Sequence, residues 1–264
     1  MKATVFLGAG RITGALLAGL HQAKYRGSVV VHDRHQQKLR RLKTLYGVHA
    51  EGDLHGAVER AKILVIAVRP DSVGALLQEI GTIHRPVIAV SLAAGIPLAN
   101  LRSALGPRVV WARAMPSPVS RSGRGLTALT FDHGFPSAAK RDVKALFAKL
   151  GPVIEISERK FDAFTVTYSS SHGYHALATL AAEAEKLGLD RRTALTAAAH
   201  ALSDGIVAWR ESSITLETLL SEAATPGGIA AATQKAVDRA GYSRAVAAGL
   251  AAGMKRARKN AKLA

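Results

Sequence analysis

The sequence predicts an α/β fold: a doubly wound parallel-sheet domain over residues 1–157, followed by an all-helical domain over residues 158–264. Three observations predict it. Apolar runs of four to seven residues alternate with helical stretches through the first half. A glycine-rich loop links the first of these runs to an amphipathic helix. From about residue 158 the strand pattern stops, and segments rich in Ala, Leu and Glu take over.

Taken in order, the strand runs are "TVFLGAG", "SVVVHD", "KILVIAV", "PVIAVS", "RVVWAR", "GLTALTF" and "PVIEIS", many closed by Gly or Pro. Several are apolar on both faces, which suits strands covered by helices on each side, and the alternation implies a parallel sheet. The helical half breaks at Gly188, at Pro226-Gly227-Gly228 and at Gly241. Its alanine-lined faces let helices approach closely, which points to packing on a second copy of the chain. The serines of "SSSHGYHAL" open one of these helices.

Composition narrows the function classes. Hydrophobic residues make up 48%, ordinary for a packed protein, and no apolar run reaches the roughly 18–20 residues that span a bilayer. "MKATVFLGAGR" reads as a first strand rather than a signal peptide, so the expected location is cytoplasmic, with no membrane partner. With no cysteine, disulfides, thiolate catalysis and thiolate-bound metals are excluded. The net charge of +17 favours anionic small molecules, but aromatics are only 5% and no stacking platform marks a specific nucleic-acid site. The basic tail "KRARKNAKLA" reads as a solvated helix end.

Gly8-x-Gly10-x-x-x-Gly14 follows the first strand and opens a helix, close to the dinucleotide fingerprint of a Rossmann-type domain but with one extra residue before the third glycine. Gly8 permits the tight turn and Gly10 lets the backbone approach a pyrophosphate. Ala9, Arg11 and Ile12 complete the loop, and the helix start supplies free amides. Asp33, at the end of the second strand, would accept a ribose 2′-hydroxyl and favour NAD. Arg34 follows at once, with Lys38, Arg40, Arg41 and Lys43 behind it. That charge suits a 2′-phosphate, so NADP is the expected cofactor and NAD the alternative.

"FLGAGRI", "AVRP", "SLAAGI", "RAMPS", "FDAFTVTYSSSHGYHAL" and "ATPGGIAAA" follow in an order and spacing that resemble the pyrroline-5-carboxylate reductase family. The resemblance implies reduction of a cyclic imino acid to proline by NAD(P)H. It also implies an active site between nicotinamide and a helical dimerisation domain, and a domain-swapped homodimer or larger homo-oligomer. By the same resemblance Ala67, Val68, Arg69 and Pro70 lie along the cofactor, and Met115 and Pro116 border the nicotinamide. Ser170 falls in a pocket wall, while Thr225, Gly227, Gly228 and Ile229 form a turn that holds the substrate carboxylate.

The chain departs from the family pattern in this pocket. Ala230 replaces a threonine that the family places beside the imine nitrogen, and His172 replaces a proline. His172, Tyr174 and Thr225 are the candidate catalytic groups, because a carbonyl substrate would need a proton donor. Adjacent Ser171 and His172 do not form a hydrolase pair, and His172 with His175 lacks the further ligands a metal needs, so no metal is expected. The alternatives are a relative acting on another small imine or carbonyl, or a catalytically weak NADP-binding regulator.

Overall fold

The computed structural model describes residues 2–263 and divides into two compact units. One comprises the chain up to Tyr168 together with Gly253 onward, and the other is Ser169–Ala252.

The first unit is built on one eight-stranded sheet, in the order β3-β2-β1-β4-β5-β6-β7-β8. Its strands are β1 (Ala3–Leu7), β2 (Val29–His32), β3 (His49–Glu51), β4 (Ala61–Ile66), β5 (Val87–Ser91), β6 (Val109–Met115), β7 (Thr127–Phe131) and β8 (Val153–Glu155). The helices are α1 (Arg11–Gln22), α2 (Gln36–Tyr46), α3 (Leu54–Glu59), α4 (Val73–Ile80), α5 (Leu98–Leu101), α6 (Ser137–Ala148) and α7 (Glu158–Thr167).

Alternate strand residues enter two separate cores. Val5, Leu7, Leu64 and Ile66 pack with Leu54, Leu77 and Leu101, so α3, α4 and α5 cover one face. Phe6, Val31 and Val65 pack with Leu16, Leu39 and Phe147, so α1, α2 and α6 cover the other. Both faces being dry is why these strands read as unbroken apolar runs. Each such buried side chain contributes about 1.5–3 kcal/mol over leaving it in water.

Two details depart from the sequence expectation. β3 is an edge strand of three residues, His-Ala-Glu, with no apolar run to announce it. β7 runs antiparallel to β6, although the alternation implied a parallel sheet. A parallel return needs a crossover of about a dozen residues, usually a helix, and only a 3₁₀ turn at Pro118–Ser122 lies between these strands.

The helical pattern starts at residue 158, but α7 packs with the sheet. Arg113 of β6 is 2% exposed and pairs with Glu158 at 2.8 Å and Asp162 at 2.9 Å. Its guanidinium also lies 4.4 Å from the centroid of the buried Phe161 ring. The compact sheet unit thus takes in α7 and runs to Tyr168.

The second unit holds α8 (Ser170–Lys186), α9 (Arg191–Glu211), α10 (Leu216–Ala223), α11 (Ile229–Arg239) and the first part of α12 (Tyr242–Asn260). Asp190 caps α9 by accepting the Arg192 and Thr193 amides at 3.0 and 3.1 Å. Its buried core is three alanines, Ala181, Ala194 and Ala198. Ile206, Trp209, Leu220 and Ile229 remain exposed, as does Leu187, at 87%.

Candidate active site

From β1 the chain winds outward through β2 and β3, then returns to β4 on the other side of β1. The strand order reverses there, which opens a crevice at the carboxyl ends of β1 and β4. Three loops are laced together at this edge. The Gly8 amide donates to His32 O at 2.8 Å, the Ala67 amide to Leu7 O at 2.8 Å and the Leu92 amide to Ile66 O at 2.9 Å. Gly8 has φ +108°, and a Cβ there would sit 2.7 Å from the carbonyl oxygen of Ala67. Only glycine fits.

Gly10 is the opposite case, because a Cβ at that position would meet nothing within 4 Å. It caps α1 without a side-chain bond, and no acidic residue occupies the first turn. The amides and the positive end of the helix dipole are left for an anion. Sequence reasoning missed Thr13, which stands at the third-glycine spacing of the ordinary fingerprint. It is fully buried, and its hydroxyl donates to Gly8 O at 2.5 Å, holding the turn from below. Gly14 makes no close approach, since a Cβ there would lie 3.9 Å from Leu42 Cδ2. Gly19 does, because a Cβ would run into the carbonyl oxygen of Ser120.

Asp33 braces this loop. Its Oδ2 accepts the Ala9 amide at 2.8 Å, and its Oδ1 accepts the His35 amide and the His35 ring Nδ1, both at 2.8 Å. Burial works against the charge, but those donors and Lys38, 4.0 Å away, outweigh it and hold the carboxyl below its ordinary value. A carboxylate oxygen accepts about two bonds, so Oδ1 is filled and Oδ2 retains one position.

Arg11 opens α1 behind β1, and Arg34 and Arg69 stand on the loops that follow β2 and β4; β2, β1 and β4 are adjacent strands. All three are exposed, and none has an ion-pair partner among the described residues. Val68 and Pro70 flank Arg69, half-buried, and Ile12 lies half-buried in the first turn of α1. Met115 ends β6, and Pro116 and Ser117 behind it are buried. Every cofactor residue expected from the sequence in this unit thus falls on the carboxyl edge of the sheet. The expectation left out the loop after β5, residues 92–97, which lies between the Arg69 and Met115 segments on that edge.

In the second unit, the serine run is a helix cap. Ser169 Oγ accepts the Ser171 amide at 3.4 Å and lies 2.6 Å from Ser171 Oγ. Tyr174 is 63% exposed, and His172 is also exposed. These two sit two residues apart on α8 and so face different directions, whereas Ser170 and Tyr174, four apart, share a face. Thr225, Pro226, Gly227 and Gly228 form a tight turn closed by the Gly228 amide donating to Thr225 O at 2.9 Å. Gly227 supplies φ +80° after Pro226, the pattern of a type II turn. Gly228 then caps α11 with no side-chain bond, and Ile229 begins that helix at 89% exposure. Thr225 is exposed beside it.

Two hollows, of about 400 and about 230 Å³, open at the amino edge of the sheet, away from the glycine loop. Among the described residues no group of three or more His, Asp or Glu could hold a metal, and no helix is long and apolar enough to cross a membrane.

Residues 4–95 match a family described as "NADP oxidoreductase coenzyme F420-dependent", and residues 158–260 match "Pyrroline-5-carboxylate reductase dimerisation". A pyrroline-5-carboxylate reductase of Thermus thermophilus is 36% identical over 75% of this chain and 76% of its own length. That of Corynebacterium melassecola is 27% identical over 91% and 92%. A Plasmodium falciparum pyrroline carboxylate reductase solved with NADP bound shares the fold at TM-score 0.88, with 19% identity over 98% of both chains.

Proposed function

The chain belongs to the pyrroline-5-carboxylate reductase family, and on that premise we propose that it reduces a small cyclic imino acid, pyrroline-5-carboxylate, to proline with NADPH. The cofactor supplies, when bound, the hydride that adds to the carbon of the protonated imine, whose nitrogen becomes a secondary amine. The protein's share is to bind and orient.

The observation that carries the cofactor half is the trio of Arg11, Arg34 and Arg69 around an uncapped helix start. NADP brings a pyrophosphate and a 2′-phosphate to match it, while NAD would leave Arg34 without an anion. Gly8, Ala9, Gly10 and Ile12 form the pyrophosphate cradle, and Asp33 keeps it in shape. Residues 67–70 line the cofactor, with Met115 and Pro116 toward its nicotinamide. In the helical unit, the Thr225 hydroxyl and the free amides at the start of α11, reached past Gly227 and Gly228, take the substrate carboxylate. Ser170 and Tyr174 form a shared wall, and His172, on another face of α8, is the weaker candidate for proton transfer.

The helical unit pairs with a second copy as a domain-swapped homodimer or larger homo-oligomer. Its three-alanine core and exposed Leu187, Ile206 and Ile229 support that reading. Ala230, exposed in the first turn of α11, favours a second reading, in which another small imine or carbonyl is the substrate.

The test is cofactor oxidation on adding five- and six-membered cyclic imino acids and ketoacids. Consumption of NADPH with pyrroline-5-carboxylate, faster than of NADH, is expected. No turnover across the panel would overturn the proposal.

A further inference from the structure

The loop after β5 carries no assigned role, yet it lies on the carboxyl edge between two cofactor segments. It is held from two sides. At one end, the Leu98 amide donates to Glu158 Oε1 at 3.0 Å. At its middle, Asn260 Nδ2 donates to Ala94 O at 3.0 Å. Gly95 beside it has φ +81°, and a Cβ there would lie 2.6 Å from Ala257 O and 2.9 Å from Asn260 Cβ. The last turns of α12 are therefore seated directly on this loop, and Asn100 Nδ2 secures the chain beyond them by donating to Ala261 O at 2.8 Å.

The basic tail has two sides. Gly253, Ala257, Asn260 and Ala261 recur at helical spacing and are at least partly buried, while Lys255, Arg256, Arg258 and Lys259 are exposed. The contacting side is small and close-fitting, and its one polar side chain is spent on a loop carbonyl.

The geometry points to Asn260 as a positioning residue for the nicotinamide end of the cofactor, acting through the loop at residues 92–97. The inference rests on the reading of this crevice as a dinucleotide site. The pyrophosphate and adenine end is gripped by the loops after β1 and β2, so affinity does not depend on Asn260. Placement of the reacting ring does, and a misplacement of about 1 Å costs up to about 100-fold in rate.

The experiment uses the full-length protein with Asn260→Asp, which keeps the size and removes the donor, Asn260→Ala, and the exposed control Lys259→Ala. NADPH affinity is measured by isothermal titration calorimetry, the emission of the bound nicotinamide is recorded separately, and turnover with pyrroline-5-carboxylate is measured alongside. Both Asn260 variants should bind NADPH within about two-fold of wild type, lose the nicotinamide emission gain and drop kcat about ten-fold or more. Their unfolding midpoints should stay near wild type, and Lys259→Ala should match wild type throughout. Wild-type emission and kcat in Asn260→Asp would overturn the inference. So would a loss of rate that only tracks losses of NADPH affinity and unfolding midpoint. A wild-type protein that does not bind NADPH would overturn the cofactor reading and this inference with it.

Discussion

With the Ala9 amide on one oxygen of Asp33 and the His35 amide and ring on the other, ionisation of one side chain ties the β2 loop to the glycine loop. Its carboxyl is held below its ordinary value. The stabilisation is therefore complete above the unfolded pKa of about 3.9 and is lost as pH falls through the lower folded value. Asp33→Asn is expected to cost about 1–3 kcal/mol in denaturant unfolding at neutral pH, with the gap closing in acid. A gap that stays constant well below about pH 3.9 would contradict this. The position of Asp33 was legible from the sequence, and its brace role was not. The end of a strand places a carboxylate near a ribose, but which amides reach it is set by the Ala9 and His35 backbones. Asn260 was illegible for a different reason, since nothing local links it to Ala94, 166 residues away.

At the scale of the element, α1 carries two glycines with opposite consequences. Gly14→Ala meets only Leu42 Cδ2 at 3.9 Å, so removing a helix-interior glycine should stabilise the unliganded protein by up to about 1 kcal/mol. Gly19→Ala collides with the Ser120 backbone, which a rotamer change cannot relieve, and should destabilise by about 1–3 kcal/mol. Urea unfolding of the two variants reads both signs, and equal shifts would contradict the packing described. The sequence marked Gly14 because it sat near a motif, while Gly19 answers to a turn a hundred residues away. Strand identity was legible because both faces of β1, β4 and β5 are dry. The direction of β7 was not, because an apolar run looks the same in either direction, and the signal was the missing helix before it.

At the scale of the whole molecule, the sheet unit holds two extensive cores while residues 169–252 rest on three buried alanines. A unit that leaves Leu187, Ile206 and Trp209 in water, and that matches a dimerisation domain, has apolar surface for a second copy to cover. Ile206→Asp should shift sedimentation toward the 27.7 kDa monomer and make stability less dependent on protein concentration. A wild-type chain that sediments as a stable monomer at micromolar concentration would contradict the pairing. The net charge of +17 fits an enzyme whose cofactor and substrate are both anions, and it raises their encounter rate at low salt. The most direct test of imine reduction is isotopic. NADPH carrying deuterium at the transferable position of its nicotinamide is incubated with pyrroline-5-carboxylate and the protein, and the proline is analysed by mass spectrometry. Proline with one deuterium on the former imine carbon is the predicted result, and unlabelled proline or none would contradict it.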